Sequence, residues 1–378
     1  MTASAALAGR RLRNLGDFIE GEVNQGLVPG AVVLVTQAGQ TIYEAVIGYS
    51  QPVERTPMRR DAVFWLASMT KPVTSVAAMM LIEAGQLGLH DLVRDYLPAL
   101  RHRPEEPPIK VLDLLRHTSG LPYGAPDVSP LHALYHQAKL FDMTQDNAEL
   151  AEKIARLPLL SPPGTMFEYG MSTDVLGRLI EVVSGQSLAD FIGQHISGPL
   201  GLASFGFSVG ETDRERIAWP LPGDDTTLAP PPFPAVRWCA GGSGLWATAQ
   251  DYTRFARMLL GEGELDRVRL LAPLTVRLMT RNHLPEGVRF GPSVEALEAT
   301  APLPELGQGF GLGVMVRTKA DANPVPGAVG DFGWPGLSGT TFWVDPSRQL
   351  VAVLMMRSTR HRLRYRTLFR EYVYGALE

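Results

Sequence analysis

Cysteine is almost missing from this chain: Cys239 is the only one in 378 residues. A lone thiol excludes an internal disulfide and a thiolate metal cage. Neither HExxH nor CxxC occurs, so no metal is expected, and nothing in the sequence asks for a cofactor. No run of about 18 apolar residues exists, so no membrane span is expected. Residues 1–13 lack a basic start followed by an apolar stretch, so no signal peptide is expected and the simplest location is cytoplasmic. A net charge of −4 and a pI near 6.1 leave no basic footprint for nucleic acid or an anionic membrane surface. No internal repeat is visible. No Gly-x-Ser-x-Gly elbow occurs, which argues against a Ser-His-Asp hydrolase on another fold. None of the eight histidines stands in a telling context, and His117 reads as a residue closing a helix rather than as a base. Lysine is scarce too, at five residues against 30 arginines, so each one is worth placing.

What remains is a globular composition, 45% apolar and 20% charged, long enough for one two-lobed unit or two domains. Leu12, Leu15, Ile19 and Val23 space as an amphipathic helix over roughly 5–25. Residues 31–36 and 41–47 read as a hairpin around the turn 37–40. Further helices are expected over 109–116, 147–157, 174–184, 188–196 and 360–374, with none but helices and loops between about 75 and 200. Thr248 and Asp251 suggest a capping box for a helix to Leu260. Residues 310–316, 339–344 and 350–356 read as closing strands, and 220–234 as a Pro-rich connector. Sequential strands without crossover helices imply an antiparallel sheet. The expected architecture is therefore α/β of the α+β type: an antiparallel sheet flanked by helices, with a mostly helical domain inserted. The sheet domain takes 1–75 and 235–378, the helical domain 76–234, and a ligand pocket at their junction.

The most informative stretch runs from Phe64 to Gly85. Val73, Val76, Ala77, Met80, Leu81 and Ala84 recur at helical spacing, Gly85 stops the helix, and Pro72 is tolerated only near the first turn, so the helix begins close to Ser68. Ser68 and Lys71 then share one face, beside free N–H groups that favour negative charge. That is a seat for a nucleophile and an adjacent base. Ser-x-x-Lys alone arises by chance in about a quarter of chains of this composition, and a Ser cap with a solvated Lys is the plainer alternative. The apolar helix argues against it, because a Lys in its first turn is costly unless that end faces a polar cleft. Two other stretches complete the reading. Phe167–Asp174 follows a Pro-Gly turn and carries Tyr169. Phe332–Gly339 is a glycine-rich loop before a strand, where backbone N–H groups can approach a ligand closely.

In this order, the three stretches resemble the serine β-lactamase and penicillin-binding protein superfamily, and within it the class C β-lactamase-like esterases, the family VIII carboxylesterases. The likeness runs from the Gly30 hairpin to the strand at Leu350 and includes His117-Thr118-Ser119-Gly120-Leu121; Ser-x-x-Lys is a signature of that superfamily. It implies a β-lactamase/transpeptidase-like fold, Ser68 as nucleophile, Lys71 and Tyr169 as a shared base, and the backbone N–H groups of Ser68 and Leu337 as oxyanion hole. Trp334, Gly336 and Met171 would line the substrate site. Two departures bear on specificity. The Tyr-x-Asn of β-lactamases has Met171 at its third position, and their Lys-Thr-Gly is Trp334-Pro335-Gly336 here, with a tryptophan where the family's esterases also carry one. Loss of the amide and the cation favours neutral acyl substrates. The expectation is a serine carboxylesterase acting on small-molecule, short-chain esters. Acyl transfer to an alcohol, weak β-lactamase or peptidase activity, and a non-catalytic binding relative are the alternatives.

Overall fold

The computed structural model describes residues 3–101, 107–224, 228–230, 232 and 237–377. Among these, eight strands form one antiparallel sheet drawn from both ends of the chain. Strands β1 (Gly30–Gln37), β2 (Gln40–Gln51) and β3 (Thr56–Pro57) come from the N-terminal side. Strands β4 (Gln308–Phe310), β5 (Met315–Arg317), β6 (Phe332–Pro335), β7 (Thr341–Asp345) and β8 (Leu350–Met356) come from the C-terminal side. Their order is β4-β5-β6-β7-β8-β1-β2-β3, so β1 and β8 join the two halves, with Val33 opposite Leu354. The early hairpin and the late strands do share one sheet, as their sequence pattern implied.

The alternation along β1 assigns its two faces. Ala31, Val33 and Val35 pack with Leu12, Leu15 and Ile19 of helix α1 (Ala3–Asn24) and with Tyr365, Phe369 and Val373 of the C-terminal helix, Arg362–Leu377. Val32 faces the main core, built from helices α2 (Thr70–Glu83), α3 (Ser172–Ser184) and α4 (Ala249–Leu260). Because β8 is covered on both faces, all seven of its residues are buried, and it reads as an unbroken apolar run. Helix α2 is buried at every position from Thr70 to Met79 and packs on α3.

Several local expectations change. Phe332–Pro335 is a strand rather than a loop, and β7 starts at Thr341, because the turn at Gly339 adopts φ +103°. Residues 310–316 are not one strand but the hairpin β4–β5, reversed at Gly311–Gly313, where Gly313 has φ +88°. One two-residue strand, Met166–Phe167, interrupts the helical middle by pairing in parallel with Arg289–Phe290. A further three-stranded sheet of Val63–Trp65, Trp246–Thr248 and Phe205–Gly206 underlies the start of α2. The helix Pro130–Gln137 was also not read, although its Ser129 cap and Pro130 first turn are visible signals. Thr248 does cap α4 by accepting from Asp251 N–H at 3.0 Å, but the Asp251 carboxylate accepts from Ser204 N–H instead of closing the box. Residues 102–106 and most of 225–236, including the expected boundary at 234/235, lie outside the described residues.

Candidate active site

Ser68 stands at the centre of a single 3₁₀ turn, Ala67–Met69, that feeds directly into α2. The residue before it, Ala67, has φ +48°, an unfavourable backbone for a residue with a Cβ. Two neighbours hold this turn in place. Leu66 N–H donates to Leu245 O at 2.9 Å, and Met69 O accepts from the Tyr252 hydroxyl at 2.8 Å.

Lys71 follows one turn on and has no exposed surface. Its Nζ lies 2.8 Å from Gly242 O, 2.9 Å from the Tyr123 hydroxyl and 3.4 Å from Ser68 Oγ. The last contact is long for a hydrogen bond, as catalytic contacts often are before substrate tightens them. The same Nζ sits 4.6 Å from the centroid of the Tyr169 ring. So Tyr169 meets Lys71 through its face, and the hydroxyl bonded to Lys71 is that of Tyr123. The Tyr123 and Tyr169 rings pack edge to face, with centroids 5.5 Å apart. Burial, reinforced by Tyr169 and Asp174, pushes the Tyr123 phenol well above its usual range. Tyr123 was not singled out from sequence; its only signal is its position just after the His117–Leu121 segment.

Glycine permits the approach of the loops. A Cβ on Gly170 would overlap Leu121 O, and that contact brings the Tyr169 loop onto the Tyr123 loop. A Cβ on Gly336 would overlap Leu66 O and Thr340 Oγ1, and that contact brings the 334–339 segment onto the Ser68 turn. Ser338 Oγ donates to Trp65 O at 2.8 Å and Thr340 Oγ1 to Leu66 O at 3.1 Å, fixing Leu337 beside the turn. Leu337 packs with Trp65 and Ala67.

His117 is the second residue that sequence reasoning set aside. It does follow a helix end, but it is fully buried and its ring lies 4.8 Å from that of Tyr169. Its Nδ1 accepts from Gly170 N–H at 3.3 Å and its Nε2 meets Thr173 Oγ1 at 3.3 Å. Burial first, and Lys71 second, depress its pKa well below 6.5, so the ring is neutral.

A family model described as Beta-lactamase matches residues 15–372. This chain belongs to the beta-lactamase family. Protein Rv1367c of Mycobacterium tuberculosis is 35% identical over 355 residues, covering 88% of this chain and 86% of that protein. Esterase EstB of Burkholderia gladioli is 28% identical, over 95% of this chain and 92% of its own length. Among solved structures, EstCE1, described as a hydrolase with promiscuous acyltransferase activity, matches with TM-score 0.82 and 27% identity, covering 99% of this chain and all of that one. As a beta-lactamase-family chain with esterases among its relatives, the protein is a serine hydrolase.

Two positions expected to touch substrate turn inward in this beta-lactamase-family chain. Met171 has no exposed surface and sits in the main core, where its N–H donates to Leu121 O. Trp334 is 1% exposed, and its indole N–H donates to the Tyr169 hydroxyl at 3.0 Å. Both side chains are apolar enough to be driven into the core. The Trp334 indole is thereby tied to Tyr169. No group of three or more His, Cys, Asp or Glu placed to hold a metal occurs among the described residues, and none of their helices is long and apolar enough to cross a membrane.

Proposed function

We propose that this enzyme hydrolyses short-chain, uncharged acyl esters through a covalent intermediate on Ser68. The observation that carries the reading is the buried Lys71, 3.4 Å from Ser68 Oγ and hydrogen-bonded at 2.9 Å to Tyr123. A serine hydroxyl is a poor nucleophile until a neighbour takes its proton. Here the Ser68 oxygen attacks the ester carbonyl carbon while its proton passes to the Lys71–Tyr123–Tyr169 network. The backbone N–H groups of Ser68 and Leu337 stabilise the oxyanion, a large share of the rate in such sites. Collapse breaks the ester C–O bond, and the network returns the proton to the leaving alkoxide through Tyr169. Water then repeats the sequence on the acyl-enzyme and releases the acid and free Ser68.

The specificity follows from what faces inward. Where β-lactamases place a lysine and an asparagine, Trp334 and Met171 offer neither cation nor amide to the cleft. A penicillin carboxylate would be buried without a partner, a cost that a neutral ester escapes. Transfer of the acyl group to an alcohol in place of water is the second reading, favoured by the likeness to EstCE1; the acyl-enzyme is common to both.

The test is kcat/KM for p-nitrophenyl butyrate against a penicillin, with and without a competing alcohol. The ester is expected to win by about 10²–10⁴, and the alcohol to divert part of the product into a new ester. Equal efficiency on penicillin and butyrate would make the protein a β-lactamase.

A further inference from the structure

Asp174 is a carboxylate in the interior, 2% exposed, that no step above uses. It lies in the first turn of α3, five residues after Tyr169. Its Oδ1 accepts from Gly242 N–H at 3.0 Å, and the carbonyl of that same glycine accepts from Lys71 Nζ at 2.8 Å. Thr74, one turn beyond Lys71 on α2, donates to Gly241 O at 2.7 Å. The glycine turn is thus clamped between α2 and Asp174, and a Cβ on Gly242 would overlap the Asp174 carboxylate.

We propose that Asp174 is a positioning residue: it fixes the Gly242 carbonyl that aims Lys71, and its negative charge compensates the Lys71 ammonium inside the buried site. The inference rests on Ser68 and Lys71 being the reacting pair. The direct partners of Lys71 are a carbonyl, a phenol and the serine, none of which brings a full negative charge. A buried cation without a counter-charge is costly. Asp174 is the carboxylate whose field reaches it, and the coupling is seen from the other side. Burial holds the Asp174 pKa above the usual carboxylate range, and Lys71 and the Gly242 N–H offset only part of that rise. The remaining titratable groups around Lys71 do not replace it. Tyr123 keeps its proton, His117 is neutral, and Arg366 of the C-terminal helix, which donates to Gly336 O, adds positive charge on the Tyr169 side.

The sign of the effect follows. A negative charge beside Lys71 favours its protonated form. Removing that charge lets Lys71 give up its proton at lower pH, so the acid limb of activity moves down. Asp174→Asn keeps an acceptor for the Gly242 N–H and removes only the charge. The pH dependence of Ser68 labelling by a phosphonate ester is expected to shift its acid limb downward by about one pH unit in Asp174→Asn, with the plateau retained. A purely structural Asp174 would leave the limb where it is, and an unmoved limb overturns the proposal. A second measurement does not depend on catalysis. Lys71→Met should lower the melting temperature by stranding the Asp174 charge, and Lys71→Met/Asp174→Asn should melt above Lys71→Met. If the second substitution only adds a further loss, the charges do not compensate one another. Failure of Ser68 to label in the unmodified enzyme would remove the functional reading while leaving the melting comparison to decide the charge pairing.

Discussion

Among the described residues, two clusters of buried ionisable groups are wired differently. Behind the sheet, Arg370 of the C-terminal helix meets Asp331 at 2.9 Å, Arg317 of β5 lies 4.0 Å from the same carboxylate, and the Tyr374 hydroxyl donates to Asp345 at 3.0 Å. There, opposite charges touch. At the candidate active site, Lys71 touches only a carbonyl and two hydroxyls, and its carboxylate, Asp174, stands behind Gly242. The difference follows from the task. A direct buried ion pair fixes both charge states and ties strands to helix. A buried lysine whose counter-charge stands one residue away is left open to exchange a proton with hydroxyl groups and a substrate. Both clusters are costly to bury, and only the second arrangement can do chemistry.

Exchanging the roles of the two clusters gives the largest expected effect. Lys71→Met should lower kcat by about 10²–10⁴, the range for lost general-base help. Arg370→Met should leave kcat per folded molecule near that of the unmodified enzyme, yet strand Asp331 and cost about 3–5 kcal/mol of stability. Steady-state kinetics paired with chemical denaturation separates the two, and a large kcat loss in Arg370→Met would erase the contrast. The hydroxyl relay comes next. Tyr169→Phe and Tyr123→Phe should each lower kcat, and the double variant should lose much less than the product of the two if, as proposed, the pair moves one proton. Clean multiplicative losses would mean two separate roles. Trp334→Phe, which removes the N–H on Tyr169, should cost about tenfold, close to one hydrogen bond.

The smallest effect concerns the neutral member of the site. His117 stays unprotonated in the folded state but takes up a proton near pH 6.5 when unfolded. The unfolded state therefore binds more protons below that pH, and stability falls as the solution is acidified, by at most about 1.4 kcal/mol per pH unit from this group. Melting temperature against pH should fall less steeply between pH 7 and 5 in His117→Gln. Parallel curves would assign the acid sensitivity elsewhere.

The parts legible in the sequence are those governed by periodicity. Helix α1, the β1–β2 hairpin, β8 and α2 were read because their apolar residues repeat at 3.6 or 2, or run unbroken where both faces are covered. Ser68, Lys71 and Tyr169 were legible through spacing and resemblance, and the structure brings them to one point. Less legible were features made by long-range contact. Strand β6 is four residues long and holds Gly333 and Pro335, so its β character comes from its neighbours β5 and β7. Tyr123 and His117 gain their importance only when the loops at Gly170 and Gly120 fold onto one another, an approach that local pattern does not encode. The burial of Trp334 and Met171 was not legible either, because a motif gives the position of a residue and not the direction of its side chain.

The central claim is that one serine out of 18 is activated by the buried lysine beside it. Incubation with a phosphonate ester probe, digestion and mass spectrometry of the labelled peptide tests this directly. A single phosphonylated site at Ser68, lost in Ser68→Ala and strongly slowed in Lys71→Met, is the expected result. Labelling at another serine, or labelling of Ser68 at an unchanged rate without Lys71, would contradict the account.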